Sequence, residues 1–148
     1  MKLSKKSRYG LRALVDLAVH SKSEHVALYS IAERNHISQQ YLEQVFASLR
    51  RAGIVKSIKG SQGGYLLSKP SKTITAADIL TALEGEYEFE PEVSAFEDDS
   101  ALAMKAVQSL IIEPVNQKLN DYLTNLTLAD LEKEYEENGR SAQDMYYI

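Results

Sequence analysis

A run of polar side chains near residue 40 has the chemistry needed to recognise base edges. Ser38 supplies a hydroxyl, Gln39 and Gln40 supply amides, and Tyr41 supplies a phenol. Amides form bidentate hydrogen bonds with adenine, and a carboxylate such as Glu43 accepts a hydrogen bond from the cytosine amino group. Each of these residues is also ordinary on a solvated helix, so their meaning depends on their surroundings.

Positively charged side chains surround this run in the sequence. They lie before it, directly after it and in the segment that follows: Lys5, Lys6, Arg8, Arg50, Arg51, Lys56, Lys59, Lys69 and Lys72. Such side chains contact phosphates and fix the register of a protein on a duplex. Lys59 stands beside Gly60 at the tip of a predicted hairpin, which would place it at a minor groove. Together these residues predict a binding surface for double-stranded DNA.

The sequence offers no comparable set for catalysis or metal binding. The chain has no cysteine, which excludes thiolate metal sites, iron–sulfur clusters and thiol nucleophiles. His20, His25 and His36 lie on separate segments without ligand spacing. The loop 60–64 is rich in glycine, but it lies between two predicted strands rather than at a helix N-terminus, unlike a phosphate-binding loop. We therefore expect no enzyme activity, no metal and no cofactor.

Charge is divided unequally along the 148 residues. Residues 1–72 carry 13 Lys and Arg against 4 Asp and Glu, whereas residues 73–148 carry 4 against 17. The net charge of −4 hides this division. A basic half joined to an acidic half indicates one module that faces a polyanion. A chance asymmetry between solvated faces is the alternative.

The composition is that of a soluble, cytoplasmic protein without a membrane segment. Hydrophobic residues make up 44% of the chain, and apolar runs such as Leu110, Ile111 and Ile112 are short. A membrane-spanning helix needs about 20 apolar residues. The N-terminus is basic, but no apolar stretch follows it, so we expect no signal peptide.

The periodicity of residues 1–85 predicts a mainly α, winged helix-turn-helix domain. A first helix over 7–22 has an apolar stripe at 3–4 spacing. A capping box from Ser30 to Glu33 is expected to open a second helix, and Ser38 is expected to cap a third. Two short helices separated by residues 35–37 have helix-turn-helix spacing. Strands over 54–59 and 65–68 would form the wing.

The acidic half predicts a linker followed by dimerisation helices over 101–139. Residues 86–100 are acidic, with few apolar groups to anchor them, and read as the linker. Residues 101–126 form a long amphipathic helix that Pro114 should kink. Because the domain 1–85 is already closed, the apolar face of this helix predicts a homodimer. Folding back onto its own winged domain is the alternative. A last helix should end near Gly139, followed by a polar tail over 140–148.

Seven motifs spread along the chain carry a resemblance to a known family. They are Arg8-Tyr9-Gly10-Leu11, Ser30-Ile31-Ala32, Tyr41-Leu42-Glu43-Gln44, Leu49-Arg50, Ala52-Gly53, Gly63-Gly64-Tyr65 and Leu83-Glu84-Gly85. With them the chain resembles the Rrf-two family of bacterial transcriptional regulators over nearly its whole length. The resemblance implies a dimeric winged helix with a long crossing helix, a recognition helix at 38–43 and a wing at 56–64. The wing of that family usually carries arginine where Lys59 stands.

The resemblance also implies a branch of the family and a partner. Iron–sulfur members place three cysteines in the linker, whereas residues 86–100 contain none. The ending Met145-Tyr146-Tyr147-Ile148 is similar to that of a cluster-free branch that represses cysteine and sulfur genes in complex with cysteine synthase. Tyr146, Tyr147 and Ile148 would then dock into that enzyme. Two alternatives are an adaptor that regulates cysteine synthase without operator binding, and a frayed terminus that packs on the last helix.

Overall fold

Three helices and a two-stranded wing form the N-terminal part of the chain. The computed structural model describes residues 2–146. Its first elements are α1 (Lys5–His20), α2 (Leu28–Asn35), α3 (Gln39–Arg51), β1 (Val55–Ile58) and β2 (Gly64–Leu67). The predicted mainly α, winged helix-turn-helix fold is confirmed.

Helix α1 is held by a capped N-terminus and a buried apolar face. The Ser4 hydroxyl accepts a hydrogen bond from the backbone N–H of Ser7, so the helix begins at Lys5 rather than at residue 7. Leu14 and Leu17 are fully buried in the core shared by α1, α2 and α3. Burial of a leucine side chain contributes roughly 1.5–3 kcal/mol, so this face fixes α1 on the other two helices.

Of the two helices of the helix-turn-helix, only α3 has a side-chain cap at its N-terminus. The Ser38 hydroxyl accepts a hydrogen bond from Tyr41 N–H at 3.1 Å, which confirms the predicted cap of α3. The predicted capping box at Ser30 is wrong, because α2 already begins at Leu28 after Ala27 and has no side-chain cap. Ser30 N–H donates to the Ala27 carbonyl at 3.0 Å and lies inside the first turn.

The wing is an antiparallel hairpin that a third segment extends. Val55 pairs with Leu67 at its base, and Ile58 pairs with Gly64 at its tip. Val26 N–H donates to the Tyr65 carbonyl at 3.0 Å, and Tyr65 N–H donates to the Val26 carbonyl at 2.8 Å. A Cβ on Gly64 would lie 2.4 Å from the Val26 carbonyl oxygen, so only glycine permits this pairing.

Helix α4 (Ala76–Glu84) begins with a capping box. Thr75 and Asp78 exchange hydrogen bonds between side chain and backbone, each at 3.0 Å. Ile79 and Leu83 are buried against the first three helices. The helix ends at Glu84 and is followed by Gly85 at φ +80°.

The long helix of the acidic half is continuous but changes its winding. It consists of α5 (Leu102–Val107), a π-helical turn (Gln108–Ile112) and α6 (Glu113–Asn125). Glu113 N–H donates to the Gln108 carbonyl, five residues earlier. Pro114 follows at once and has no N–H to give, so the interruption predicted at this proline takes the form of a π turn.

The last helix, α7 (Leu128–Tyr146), packs on the winged domain. Leu128 is fully buried in the common core, and its N–H donates to the Ile74 carbonyl at 2.8 Å. The buried carboxylate of Glu132 pairs with Lys22 at 2.5 Å, which raises the pKa of Lys22. The predicted grouping of this helix with a separate dimerisation module is therefore corrected at its N-terminal end.

The same helix corrects the prediction for the C-terminal tail. Residues 140–146, predicted as a polar, turn-like tail, continue α7 without a break through Gly139. Arg140 and Gln143 are good helix formers, so the local propensity supports this continuation once α7 is established. Tyr147 and Ile148 lie outside the described residues. Between residues 2 and 146, none of the helices is long and apolar enough to cross a membrane.

The acidic linker is fastened to the long helix, which corrects the expectation that little anchors it. The side chain of Asn116 accepts a hydrogen bond from Phe89 N–H and donates one to the Phe89 carbonyl, both at 2.8 Å. Tyr87 donates to Asn120 at 3.0 Å, and Glu92 N–H donates to the Gln108 side chain at 3.1 Å. Amides on one face of the helix thus bind the linker through its backbone and its tyrosine.

Candidate nucleic-acid interface

Helix α3 divides into a buried face and an exposed polar face. Leu42, Val45, Phe46 and Leu49 are buried in the core, which fixes the rotation of the helix about its axis. The exposed residues include those that the sequence assigned to base contacts and to its basic end: Ser38, Gln39, Gln40, Glu43 and Arg50. The structure therefore presents these polar groups to solvent from a rigid, capped helix.

Tyr41 belongs to the same first turn but is only half-buried, because it packs against α1. Its ring meets the Tyr9 ring edge to face, with the centroids 5.8 Å apart. Lys5 Nζ lies 5.3 Å from the Tyr9 ring centre and 5.5 Å from that of Tyr41. Arg12 lies over the Tyr9 ring at 5.1 Å. Two cations and two aromatic rings thus form one cluster, the Tyr9–Tyr41 cluster, beside the start of α3.

The predicted phosphate contacts at the N-terminus have different surroundings. Lys6 is half-buried, and its ammonium donates to the Ser48 hydroxyl of α3 at 2.9 Å. Arg8 is exposed, and its Nε donates to the Leu3 carbonyl at 3.1 Å. Lys6 therefore ties α1 to the end of α3, whereas the remaining donors of Arg8 face solvent.

The wing carries Lys56, Lys59 and Gly60 at exposed positions. Lys56 lies on β1, and Gly60 at the tip has φ +113°, a backbone conformation that glycine adopts readily. His25 Nε2–H donates to the Gln62 carbonyl at 2.5 Å and fastens the wing loop to the segment before α2. Sequence reasoning missed this role of His25, because the contact joins residues 37 positions apart.

A second unpredicted group holds the helix-turn-helix itself. Asp16 of α1 is buried and accepts hydrogen bonds from the Arg34 guanidinium at 2.6 and 3.0 Å and from the Asn35 amide at 3.0 Å. The hydrogen bond to Asp16 raises the pKa of Arg34. Arg12 donates to the Asn35 carbonyl at 2.6 Å. One signal was available: Asp16 is the single acidic residue of α1.

Helices α1 and α4 are joined by one carboxylate. Glu84 accepts hydrogen bonds from the hydroxyls of Ser4 and Ser7, of which Ser7 is fully buried. These hydrogen bonds lower the pKa of Glu84. The contact holds the N-terminus of α1, where the first predicted phosphate contacts lie, against the C-terminus of α4.

Comparison with known proteins gives a consistent family. The family model described as "Rrf2: Iron-dependent Transcriptional regulator" matches residues 3–134. The chain belongs to the Rrf2 family. It is 38% identical to the HTH-type transcriptional regulator CymR of Bacillus subtilis over 148 residues, all of both chains. It is 34% identical to the regulator IscR of Erwinia tasmaniensis over 131 residues, which covers 88% of this chain and 78% of that protein.

The fold agrees with this membership of the Rrf2 family. The solved structure of B. subtilis CymR, described as the global cysteine regulator, superposes with a TM-score of 0.74 at 38% identity. The match covers 90% of this chain and 98% of that chain. This Rrf2-family chain is thus a DNA-binding transcriptional regulator and not an enzyme.

Iron binding through an iron–sulfur cluster does not fit the residues of this chain. No cysteine is present anywhere in its sequence. Among residues 2–146, no three histidine, aspartate or glutamate side chains are grouped so that they could hold a metal ion. This Rrf2-family member therefore lacks the thiolate ligands that bind an iron–sulfur cluster.

Proposed function

We propose that this chain is a sequence-specific repressor that reads its operator with the exposed face of α3 and with the wing. The observation that carries the proposal is the orientation of α3. Its N-terminus is capped and its apolar face is buried, so that Gln39, Gln40 and Glu43 face solvent. In a helix-turn-helix the second helix enters the major groove with its N-terminal residues at the base edges. Exposed cations on the wing and at the start of α1 supply the phosphate contacts.

Base reading is tested by a matched pair of substitutions. A duplex is first selected from a random library with the unmodified chain. Gln40→Ala should then weaken binding to that duplex by about 1–3 kcal/mol and relax preference at one base pair. Gln117→Ala, on an exposed turn of α6, is the control and should change neither quantity. Equal binding of selected and random duplexes by the unmodified chain would contradict the proposal.

Phosphate contacts have a different signature. Lys56→Ala on the wing should weaken all duplexes alike and lower the slope of log Kobs against log salt by about 0.9. Lys59→Ala should do the same and also reduce any preference for a narrow minor groove, into which basic side chains are attracted. The measurement is a salt titration on the selected duplex and on a scrambled one. A variant that changes only the selected duplex would assign that lysine to base reading instead.

The repressor acts as a homodimer in this proposal. The long helix leaves a row of apolar side chains exposed: Leu102, Val107, Leu110, Ile111, Val115 and Tyr122. Leu110 is 79% exposed, which is costly for a large apolar side chain in isolation. A two-fold dimer through this row would present two copies of α3, with half-sites about 34–36 Å apart.

The regulated genes and a protein partner are the second part of this proposal. The similarity to CymR, described as a global cysteine regulator, supports genes of cysteine and sulfur metabolism. We further propose that cysteine synthase binds the C-terminus. Met145 and Tyr146 are 80% and 91% exposed at the end of α7, which holds them away from the core. A terminal carboxylate at Ile148 suits capture by backbone N–H groups in a substrate pocket.

Calorimetry with purified cysteine synthase tests this partner. Removal of Ile148 should abolish binding, whereas Ser141→Ala, on the exposed surface of α7, should leave it unchanged. O-acetylserine, a substrate of the enzyme, should compete with the chain. Equal affinity with and without Ile148 would refute docking by the terminus. Binding of cysteine synthase by a chain that selects no DNA would instead support the adaptor.

A further inference from the structure

The cluster between α1 and the helix-turn-helix joins two parts of the DNA-reading unit that are distant in sequence. Arg12 lies on α1, yet its Nη2 donates to the carbonyl of Asn35, the last residue of α2, at 2.6 Å. The same guanidinium lies 5.1 Å from the ring centre of Tyr9. Tyr9 in turn meets Tyr41, in the first turn of α3. A single chain of contacts thus runs from the end of α2 through α1 to the start of α3.

We propose that Arg12 and Tyr9 are positioning residues that set the first turn of α3 for base reading. The inference rests on the proposed reading of bases by Gln39 and Gln40 and names residues that hold them without touching DNA. An exposed arginine on a DNA-binding domain would ordinarily be taken as a phosphate contact. The geometry points to the other role, because the contacts of Arg12 are already directed into the protein.

The acceptor of Arg12 is a group that α2 leaves available. The last carbonyls of a helix lack partners within the helix, and its C-terminus carries partial negative charge. The N–H groups of His36 and Ile37 bind the carbonyls of Glu33 and Ala32, earlier in α2. The Asn35 carbonyl receives the Arg12 guanidinium instead. This contact fixes the position at which the chain leaves α2, directly before the turn into α3.

Tyr9 carries this constraint across to the recognition helix. The Arg12 guanidinium lies over its ring. The same ring packs edge to face with Tyr41, a geometry favourable to aromatic pairs. Gln39 and Gln40 are the two residues before Tyr41 and belong to the same turn. A shift of Tyr41 therefore moves the amides that are proposed to meet the bases.

The variants that test the inference should remain folded. Asp16, one turn after Arg12 on α1, binds Arg34 and Asn35 without help from Arg12 and should keep both contacts when Arg12 is replaced. Arg12 itself is exposed, and Tyr9 is only half-buried. Tyr9→Phe keeps the ring and Tyr9→Leu removes it, so the pair separates the aromatic contact from the hydroxyl. Lys56→Ala on the wing serves as the phosphate-contact control.

The experiment measures affinity for the duplex selected by the unmodified chain and for a scrambled duplex, each over a series of salt concentrations. Arg12→Gln and Tyr9→Leu should lower the affinity for the selected duplex by about ten-fold or more, close to the loss of one base contact. Their affinity for the scrambled duplex and their salt slope should stay near those of the unmodified chain. Tyr9→Phe should behave as the unmodified chain.

A measurement without DNA keeps this inference separate from the proposed function. Hydrogen exchange of residues 35–41 in the free protein should be faster in Arg12→Gln and Tyr9→Leu but unchanged in Lys56→Ala. If the unmodified protein selects no DNA sequence, the proposed function fails. Hydrogen exchange then still tests whether Arg12 and Tyr9 hold residues 35–41 in place. Unchanged exchange in both variants would overturn the inference. An equal loss on both duplexes, with a slope lower by about 0.9, would make Arg12 a phosphate contact.

Discussion

Serine occurs near the start of both helices of the helix-turn-helix, but only one of the two serines caps its helix. Ser38 precedes α3 and accepts the Tyr41 N–H, whereas Ser30 is the third residue of α2. Ser30 with Glu33 predicted a capping box for α2, and Ser38 predicted a cap for α3. The prediction at Ser30 is wrong because α2 already begins at Leu28, whose side chain is buried. Local chemistry alone does not decide between a cap and a first-turn residue when tertiary burial sets the helix start.

This difference predicts unequal effects of the same substitution. Ser38→Ala removes the acceptor for an otherwise unpaired N–H and should lower the free energy of unfolding by about 0.5–2 kcal/mol. Ser30→Ala removes no cap and places a better helix former inside α2, so stability should change little. Urea unfolding of the two variants measures both effects. A larger loss from Ser30→Ala would contradict the assigned start of α2.

Glu84 links the ends of two helices through an interaction that depends on its charge. Because its pKa is lowered from the ordinary value of 4.5, folding favours the ionised carboxylate. The stabilisation is therefore complete above that ordinary value and is lost as pH falls toward the lowered pKa. Glu84→Gln should destabilise the protein near neutral pH, and its difference from the unmodified chain should shrink in acid. Thermal unfolding of both proteins at a series of pH values from about 3 to 7, which includes the range in which carboxyl groups titrate, measures this difference in stability. A difference that grows on acidification would contradict it.

Several contacts of the interface were beyond sequence reasoning for a common reason. The exposed residues of α3 were predictable, because the 3–4 spacing of Leu42, Val45 and Leu49 defines the opposite face. The partners of Lys6 and Arg12 were not, since these pairs are separated by 42 and 23 positions. Such contacts are set by how the helices pack, which periodicity within one helix does not specify.

Among the elements, the long helix shows how a π turn keeps a row of apolar residues on one face of a helix. Val107, Ile111, Val115 and Leu119 are each four residues apart, and in an ideal α-helix each such step rotates the row by about 40°. One additional residue in a turn reverses roughly 100° of the accumulated rotation of the row. The π turn at Gln108–Ile112 therefore supplies the correction. The unbroken steps of four were a sequence signal for it, and Pro114 marked its place.

The polar face of this helix should determine whether the linker is ordered. Asn116→Ala removes both hydrogen bonds to the Phe89 backbone, so hydrogen exchange over residues 87–92 should become faster. Loss of these two hydrogen bonds should lower the free energy of unfolding by about 1–3 kcal/mol. Asn125→Ala is the matched control, because its side chain binds only its own helix. Equal exchange in the two variants would mean that the linker is held by other contacts.

At the scale of the whole molecule, the basic and acidic halves of the chain are joined beside α4 of the winged domain. Ala76 N–H donates to the Leu126 carbonyl at 2.7 Å, and Leu128 N–H donates to the Ile74 carbonyl at 2.8 Å. These contacts place the end of the long helix at the start of α4. At its other end, α4 contacts the N-terminus of α1 through the hydrogen bonds of Glu84 with Ser4 and Ser7. Composition suggested a boundary near residue 85, but charge division does not show where cores are shared.

The apolar row on the long helix gives the prediction for assembly. Ile111→Asp together with Val115→Asp should yield a folded monomer, because these side chains are 52% and 39% exposed in the single chain. The charges stay hydrated in the monomer but would be buried without partners in a dimer. Sedimentation should show a dimer for the unmodified chain and for the control Ser109→Asp with Gln117→Asp, which changes exposed polar positions of the same helix. The monomer should retain its circular dichroism but bind one half-site, losing the tighter binding to two half-sites that a dimer provides. A monomeric unmodified chain at micromolar concentration would show that the row is covered by something other than a second copy.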